Sequence, residues 1–432
     1  MTNLYKICGF SKFSSACVLW IAIFVASNSV LSDSYAQIVA SPSVKRDVVR
    51  NDAKSFKFGK FQFVPSLLFK STFDDNALYS EDAKRKDCII NVKPGIDFMR
   101  RSGKVDFVTG YSLEGSKNVR NSVQDFLAHE FFTELYMTPF GKRLFFRASE
   151  ELEKTSEPAD VEILQKTHLF LNEAAVEVGY KTPGEDLEFT LGYINNYKSY
   201  DEIYNGYNFY GNGIQIKSKV NIGSRYRFLP KTQAMVDFNY TRASQNFNVS
   251  IYEGDLISNG YRFMVGISGS FTRKLNLITR LGYTKIDFDI SQSASDLLAE
   301  VALNYIFSSK TRFQAGYGRE IEYSIFSPYS KRNNYYIAVN YVLHRRWKVD
   351  LTVKFDDIDY SGPINNGAGD TRDDFVIRVN LEGAYRIKPW LSILFGYNLQ
   401  TRNSNLVGVV LGPNSADFTR NTYYLGLGFN YF

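Results

Sequence analysis

Cysteine is nearly absent: the 432 residues contain three, Cys8, Cys17 and Cys88. The first two fall in an N-terminal stretch that reads as a leader. An exported form therefore keeps one thiol and has no internal disulfide. Histidine is equally scarce, with His129, His168 and His344 the full set of 3, and no two of them stand at a metal-ligand spacing. Beyond the N-terminus no apolar run approaches the ~18 residues of a helical membrane span. The net charge of +6 is too weak to imply nucleic acid as a partner. No linker or composition shift divides the chain.

What the chain has in quantity is aromatic residues, 30 Tyr and 35 Phe, under a mean hydropathy of −0.25. Residues 1–36 read as a secretory signal peptide. Lys6 and Lys12 precede the apolar stretch 16–27, and Ser34-Tyr35-Ala36 is a small-x-small cleavage site. Residues 37–59 are polar and read as a short periplasmic tail. From 60 to 432 the pattern alternates. In 214–228, Ile214, Ile216, Val220, Ile222, Tyr226 and Phe228 share one face of a strand, and Lys217, Lys219, Arg225 and Arg227 share the other. A polar mean with period-2 aromatics suits a barrel, because lumenal residues offset lipid-facing ones in any average.

The connections alternate too. Tight junctions (139–142, 182–186, 229–231, 272–273, 308–310, 344–346, 386–389) take turns with long polar ones (150–167, 198–213, 243–258, 287–293, 322–332, 356–372, 402–420). Short turns on one side and long loops on the other are the signature of outer-membrane barrels. The expectation is an all-β protein: one antiparallel transmembrane β-barrel of about 18 strands, with both termini periplasmic and the long loops extracellular. Sixteen is the alternative if 126–138 and 168–180 are misread. Pro65 and Pro94 fall inside strands, where each marks a bulge or an unpaired site. Trp347 and Trp390 follow short turns and suit an interfacial belt, as do Tyr283, Tyr305, Tyr317, Tyr341, Tyr385 and Tyr397. The last strand alternates Tyr423, Leu425, Leu427, Phe429 and Tyr431 and ends at Phe432, one step out of phase. Such an ending resembles the signal read by the barrel-assembly machinery.

Enzymatic chemistry finds little support. His129 and His168 sit near Glu130 and Glu134 without triad spacing, and the expectation is no enzyme, no cofactor and no metal. Asp356-Asp357-Ile358-Asp359, or Asp370, Asp373 and Asp374, could hold Ca²⁺, but solvated loop charge is the better reading. Function falls to the lumen. Alternation turns Lys217, Lys219, Arg225, Arg227, Lys274, Arg280, Arg312, Lys348, Lys354 and Arg378 inward as a candidate basic ladder. Asp106, Glu130, Glu134, Glu188, Asp237, Glu300, Asp350 and Glu382 turn inward as well. Either the two signs neutralise each other in the wall, or the basic members guide an anionic solute.

Several stretches together resemble the outer-membrane family known as beta-barrel porin 2. They are Pro65-Ser66-Leu67 followed by Phe73-Asp74-Asp75-Asn76, the loop 203–212 leading into a basic strand, Gly260-Tyr261-Arg262, and the aromatic last strand. The resemblance covers 60–432 and implies a single barrel in the outer membrane of a Gram-negative bacterium, surrounded by outer-membrane lipid. Members are discussed beside exopolysaccharide secretion, but the family has no agreed substrate or residue set, so no site carries over. The function expected is a porin-like pore for small polar solutes, with polysaccharide export as one form of it. The alternative is an adhesin-like surface barrel whose loops occlude the lumen.

Overall fold

The computed structural model describes residues 55–81, 84–141, 143–156, 168–200, 213–247, 255–289, 293–324, 327–344, 346–361, 372–405 and 417–430. The predicted signal, the tail as far as residue 54, Asp370 and Phe432 lie outside the described residues.

A short strand β1 (Phe56–Phe58) precedes β2 (Phe61–Asp74), β3 (Asp87–Arg101), β4 (Val105–Asn118), β5 (Phe126–Met137), β6 (Leu144–Thr155), β7 (Leu169–Lys181), β8 (Leu187–Tyr200) and β9 (Gly213–Leu229). There follow β10 (Thr232–Phe247), β11 (Leu256–Ser270), β12 (Leu275–Phe288), β13 (Ala294–Ile306), β14 (Thr311–Glu322) and β15 (Ser330–Leu343). The last four are β16 (Trp347–Tyr360), β17 (Asp373–Lys388), β18 (Leu391–Ser404) and β19 (Phe418–Phe429). From β2 onward each strand pairs antiparallel with the next, and β19 pairs with β2 from Thr422↔Asp74 to Phe429↔Leu67. The result is a closed barrel of 18 strands. The segments read from sequence as doubtful, 126–138 and 168–180, are full strands. The first pairing begins at Phe56 rather than at 60: β1 lies on the part of β2 that β19 leaves bare, with Phe56↔Phe63 and Phe58↔Phe61.

Neither proline makes a bulge. Pro65 sits on β2 between the end of β1 and the end of β19, and its carbonyl accepts a bond from the Asn430 side chain at 2.8 Å. At Pro94 the pairing of β3 with β4 breaks between Val92↔Gly115 and Gly95↔Ser112 and resumes in the same register. A residue without an N–H costs the ladder a bond, and the sheet leaves each proline unpaired on one side while β2 and β3 stay in register on the other.

The outer face is apolar along its lower and middle rows. Val236, Val265 and Leu281 lie side by side across three strands and are exposed. Exposed apolar area on this scale requires a non-aqueous surround. Near the short turns it ends in rings, including Trp347 on Tyr385 (centroids 4.7 Å apart) and Trp390 on Phe429 (6.0 Å). Toward the loops it ends in a collar of five tyrosines. Tyr193 donates to Ser218 (3.2 Å), Tyr240 to Asn259 (2.7 Å), Tyr317 to Asn333 (3.2 Å) and Tyr397 to Asn421 (2.8 Å), while Tyr111 shares a bond with His129 Nδ1 (2.8 Å). Each reaches diagonally to the next strand, one row nearer the loops. An apolar ring with a hydrogen-bonding tip fits the boundary between lipid tails and water. Beyond the collar the outer face becomes polar, with Asn195, Ser244, Asn246, Thr401 and Thr419. Strands β4, β8, β10 and β18 each run 7 residues past their collar tyrosine. At about 2.5 Å of axial rise per residue in a tilted strand, the wall stands roughly 17 Å above the boundary.

Candidate functional site: the lumenal wall and its mouth

The inward rows are the alternate positions, as the pairing registers require. Nine residues of the candidate ladder lie on them. Lys274 does not: it sits in the β11–β12 turn and donates to the Phe307 carbonyl at 3.2 Å. It lies past the last strand position, where alternation no longer sets direction. The inward cations then divide by partner. Arg225 pairs with Glu188 (2.9 Å), Arg280 bonds Glu300 through Nε (2.8 Å), Lys348 meets Asp350 (2.8 Å) and Arg378 meets Asp356. Arg227 folds back on the β7–β8 turn, to Asp186 (3.2 Å) and the Glu185 carbonyl (2.9 Å). In contrast Lys219, Arg312 and Lys354 make no hydrogen bond or ion pair among the described residues. Two others of that kind, Lys198 and Arg262, were missed by the sequence reading. Arg262 stands between the outward Tyr261 and Phe263, so the alternation did contain it. Lys198 was read as the start of a loop, but β8 continues to Tyr200.

The charges are also segregated around the wall. On β5, β6 and β7, Glu130 lies opposite Glu153, and Glu151 opposite Glu173. Like charges facing each other across a ladder destabilise it unless cations approach. Lys93 does so, reaching Glu130 at 2.5 Å and Glu114 at 3.6 Å. A few strands on, from β8 to β11, the wall carries Lys198, Lys219 and Arg262. Acidic and basic arcs thus share one lumen.

The mouth is narrowed by connections that turn inward. Pairing between β13 and β14 stops at Ala299↔Arg319, although both strands continue. Above that row β14 leans into the barrel. Ile321 is buried against Leu256, Ile286, Phe288 and Ala294, with Tyr323 and Tyr329 packed on the cluster. Gln245 donates to the Ser324 carbonyl (2.9 Å), and Lys217 Nζ lies 4.8 Å from the Tyr323 ring centre. Burial pushes the Tyr323 hydroxyl pKa up. The notch left in the wall is bridged from the inner row of β13 by Asp296, which accepts from Arg319 (2.8 Å) and meets Lys331 (3.4 Å).

Across the mouth, the β2–β3 connection is fastened by Asn76, whose side chain donates to the carbonyls of Ser80 (2.7 Å) and Thr419 (3.0 Å). Tyr79 packs on Phe418 (5.3 Å) beneath Arg420, which pairs with the fully buried Asp74 at 2.7 Å. Next to it Arg372 and Arg402 are buried around Asp374 (2.5 and 3.8 Å) and lie over Tyr360 (4.6 Å) and Phe418 (4.9 Å). Asp374 is therefore bound by arginines. Asp356 faces inward in β16 while Asp357 and Asp359 face outward, so this run is strand rather than loop and its carboxylates do not converge. His129 faces outward and Glu130 inward. His168 stacks on Phe126 at 4.8 Å.

No family model matches the chain, and no curated protein sequence matches it. Neither comparison supplies the resemblance to beta-barrel porin 2, which rests on the quoted residues alone. In the structure Asp74, Asp75 and Asn76 close the barrel: Asp75 accepts from Asn421 N–H and Nδ2. Solved structures align with the chain over part of their length. The FrpB iron transporter from Neisseria meningitidis aligns at 10% identity and TM-score 0.46, covering 83% of this chain and 64% of that one. The chain thus spans less than two thirds of FrpB. OccK3 (OpdO) of Pseudomonas aeruginosa aligns at 11% identity and TM-score 0.46, covering 85% and 95%. The siderophore receptor PirA from Acinetobacter baumannii aligns at 8% and 0.43, covering 84% and 80%.

Proposed function

We propose that the protein is an outer-membrane channel for polar solutes that favours anions, with its loop end at the cell surface. The observation that carries this reading is a set of inward cations on the β8–β11 wall, Lys198, Lys219 and Arg262, that make no hydrogen bond or ion pair among the described residues. A cation whose charge is already matched contributes little field, whereas an unmatched one attracts the opposite ion into the lumen. The acidic arc on β5–β7 repels anions from its own side and so turns them toward the β8–β11 wall. The test is current through a planar bilayer under a salt gradient. The expected result is an anion-preferring reversal potential that moves toward the cation side in Lys219→Gln/Arg262→Gln. A reversal potential unchanged by that pair would sink the assignment. Arg225→Gln should shift it less, because Glu188 already balances that charge.

The finer form of the reading is export of an acidic surface polysaccharide. The mouth supports it with rings beside cations, at Tyr323 and Lys217 and at Tyr360 and Arg372. Deleting the protein should then reduce surface polymer, and unchanged polymer would remove this form while leaving the channel. The inward β14–β15 connection favours a second reading, a barrel occluded at rest that serves as a surface-interaction module. A silent bilayer from well-folded protein is its expected signature.

A further inference from the structure

The outer surface just above the tyrosine collar is sorted by charge. On the β16–β17 side it presents Asp357, Asp359 and Asp373, all exposed. On the β18–β19 side it is neutral, with Thr401, Asn403, Thr419 and Asn421. On the β3–β6 side it is basic. Lys154 faces outward, opposite His129, whose ring is bonded to the collar residue Tyr111. Lys117 projects from the top of β4 with 66% of its side chain exposed. Lys84, Lys86 and Arg120 are exposed on the adjoining connections.

These residues do not hang on loose chain. The β4–β5 connection is tied to β3 by Val119 N–H to the Cys88 carbonyl (3.0 Å) and by Arg120 N–H to Asp87 (3.0 Å). Asp125 accepts from Asn118 N–H (2.7 Å) and pairs with Lys117, while Glu150, the outward carboxylate of β6, accepts from Asn172 (3.3 Å). The carboxylates of this sector are thus engaged, and Lys154, Lys84 and Arg120 remain turned to the surroundings.

Height decides what those surroundings are. Lys154 stands one row above the collar, and Lys117 stands six residues above Tyr111, about 15 Å along the axis for a tilted strand. With the loop end at the cell surface, this is the layer of outer-leaflet headgroups and their first sugars. We infer that the β3–β6 sector is a docking surface for the phosphorylated glycolipid of the outer leaflet, with Lys84, Arg120 and Lys154 holding its phosphates. Charge complementarity selects that partner: phosphate groups crowd this layer, and a basic sector on a fixed platform meets them where the acidic sector repels them. The inference rests on the outer-membrane reading and its orientation, but not on conduction, and its test does not use current.

The experiment uses the full protein, with native mass spectrometry against three probes: lipopolysaccharide, the same lipopolysaccharide dephosphorylated, and phosphatidylglycerol. The variants are Lys84→Gln/Arg120→Gln/Lys154→Gln and, as the opposite sector, Asp357→Asn/Asp359→Asn/Asp373→Asn. Each is first shown to be folded by heat-modifiable migration on a gel. The expected result is lipopolysaccharide retention by the parent and the aspartate variant, and at least a tenfold loss in the basic variant and in the dephosphorylated arm. Equal retention by the basic variant overturns the inference. So does equal retention of phosphatidylglycerol or of the dephosphorylated lipid, since either means that charged lipid is held without regard to this sector. If the basic variant does not fold, Lys154→Gln alone carries the same comparison, and no loss there overturns it too.

Discussion

A missing side chain decides how several lumenal rings lie. Gly316 faces Tyr336 across β14 and β15, and Gly396 faces Tyr424 across β18 and β19. In each pair the ring lies over the glycine, in the space a Cβ would fill. Gly316→Ala must lift the Tyr336 ring from its place, and overpacking of this kind costs about 1–3 kcal/mol. The urea midpoint of the barrel, followed by gel shift, should fall, and Tyr336→Leu in the same chain should restore part of it. A midpoint unmoved by Gly316→Ala would mean that the ring has another low-energy place to go. The buried pair at the seam behaves differently. Arg420→Ala leaves Asp74 charged, buried and short of its cation, a loss on the order of 3–5 kcal/mol. Adding Asp74→Asn should recover most of it, and a double variant as unstable as the single would show that the Tyr79 contact matters more than the charge. Alternation made the inward direction of most of these residues legible. It could not say which cations would find a carboxylate, because that depends on the register between paired strands, as for Arg225 and Glu188, and at the seam on strands from opposite ends of the barrel, as for Arg420 and Asp74.

At the scale of elements, strands and turns were the legible part and the loops were not. Period-2 patterning names faces and therefore gave β9, β11 and β16 from the residues alone. It could not show that β14 leaves its neighbour above Arg319, since Ile321 continues the alternation on paper while in space it crosses to the inner side. The loops singled out by length were 150–167, 198–213 and 402–420, most of which lie outside the described residues, while among the described residues the modest connection between β14 and β15 enters the barrel. What draws it in is an apolar surface, with Ile321, Tyr323 and Tyr329 covering Leu256 and Phe288. Replacing 323–329 by a short glycine–serine link should uncover that surface and widen the mouth. Single-channel conductance should rise severalfold, or appear where the parent is silent. An unchanged current would place the narrowest point deeper in the lumen, among the Arg280 and Glu300 rows.

At the scale of the whole molecule, the registers leave one place where chemistry must wait for the end of the chain. The strand β2 emerges first, and its partner β19 is the last to be made. Until β19 arrives, the growing sheet has two bare edges with unpaired N–H and C=O groups. The strand β1 covers the foot of β2 and shortens that exposure, while Pro65 removes one donor from the remaining edge. The rest, Leu67 to Asp74, can be satisfied by β19 alone, with Asp75 and Asn76 clasping it afterwards. A chain cut short before Phe418 keeps both edges open, and it should be cleared faster than one that carries β19, a difference that pulse-chase labelling reads.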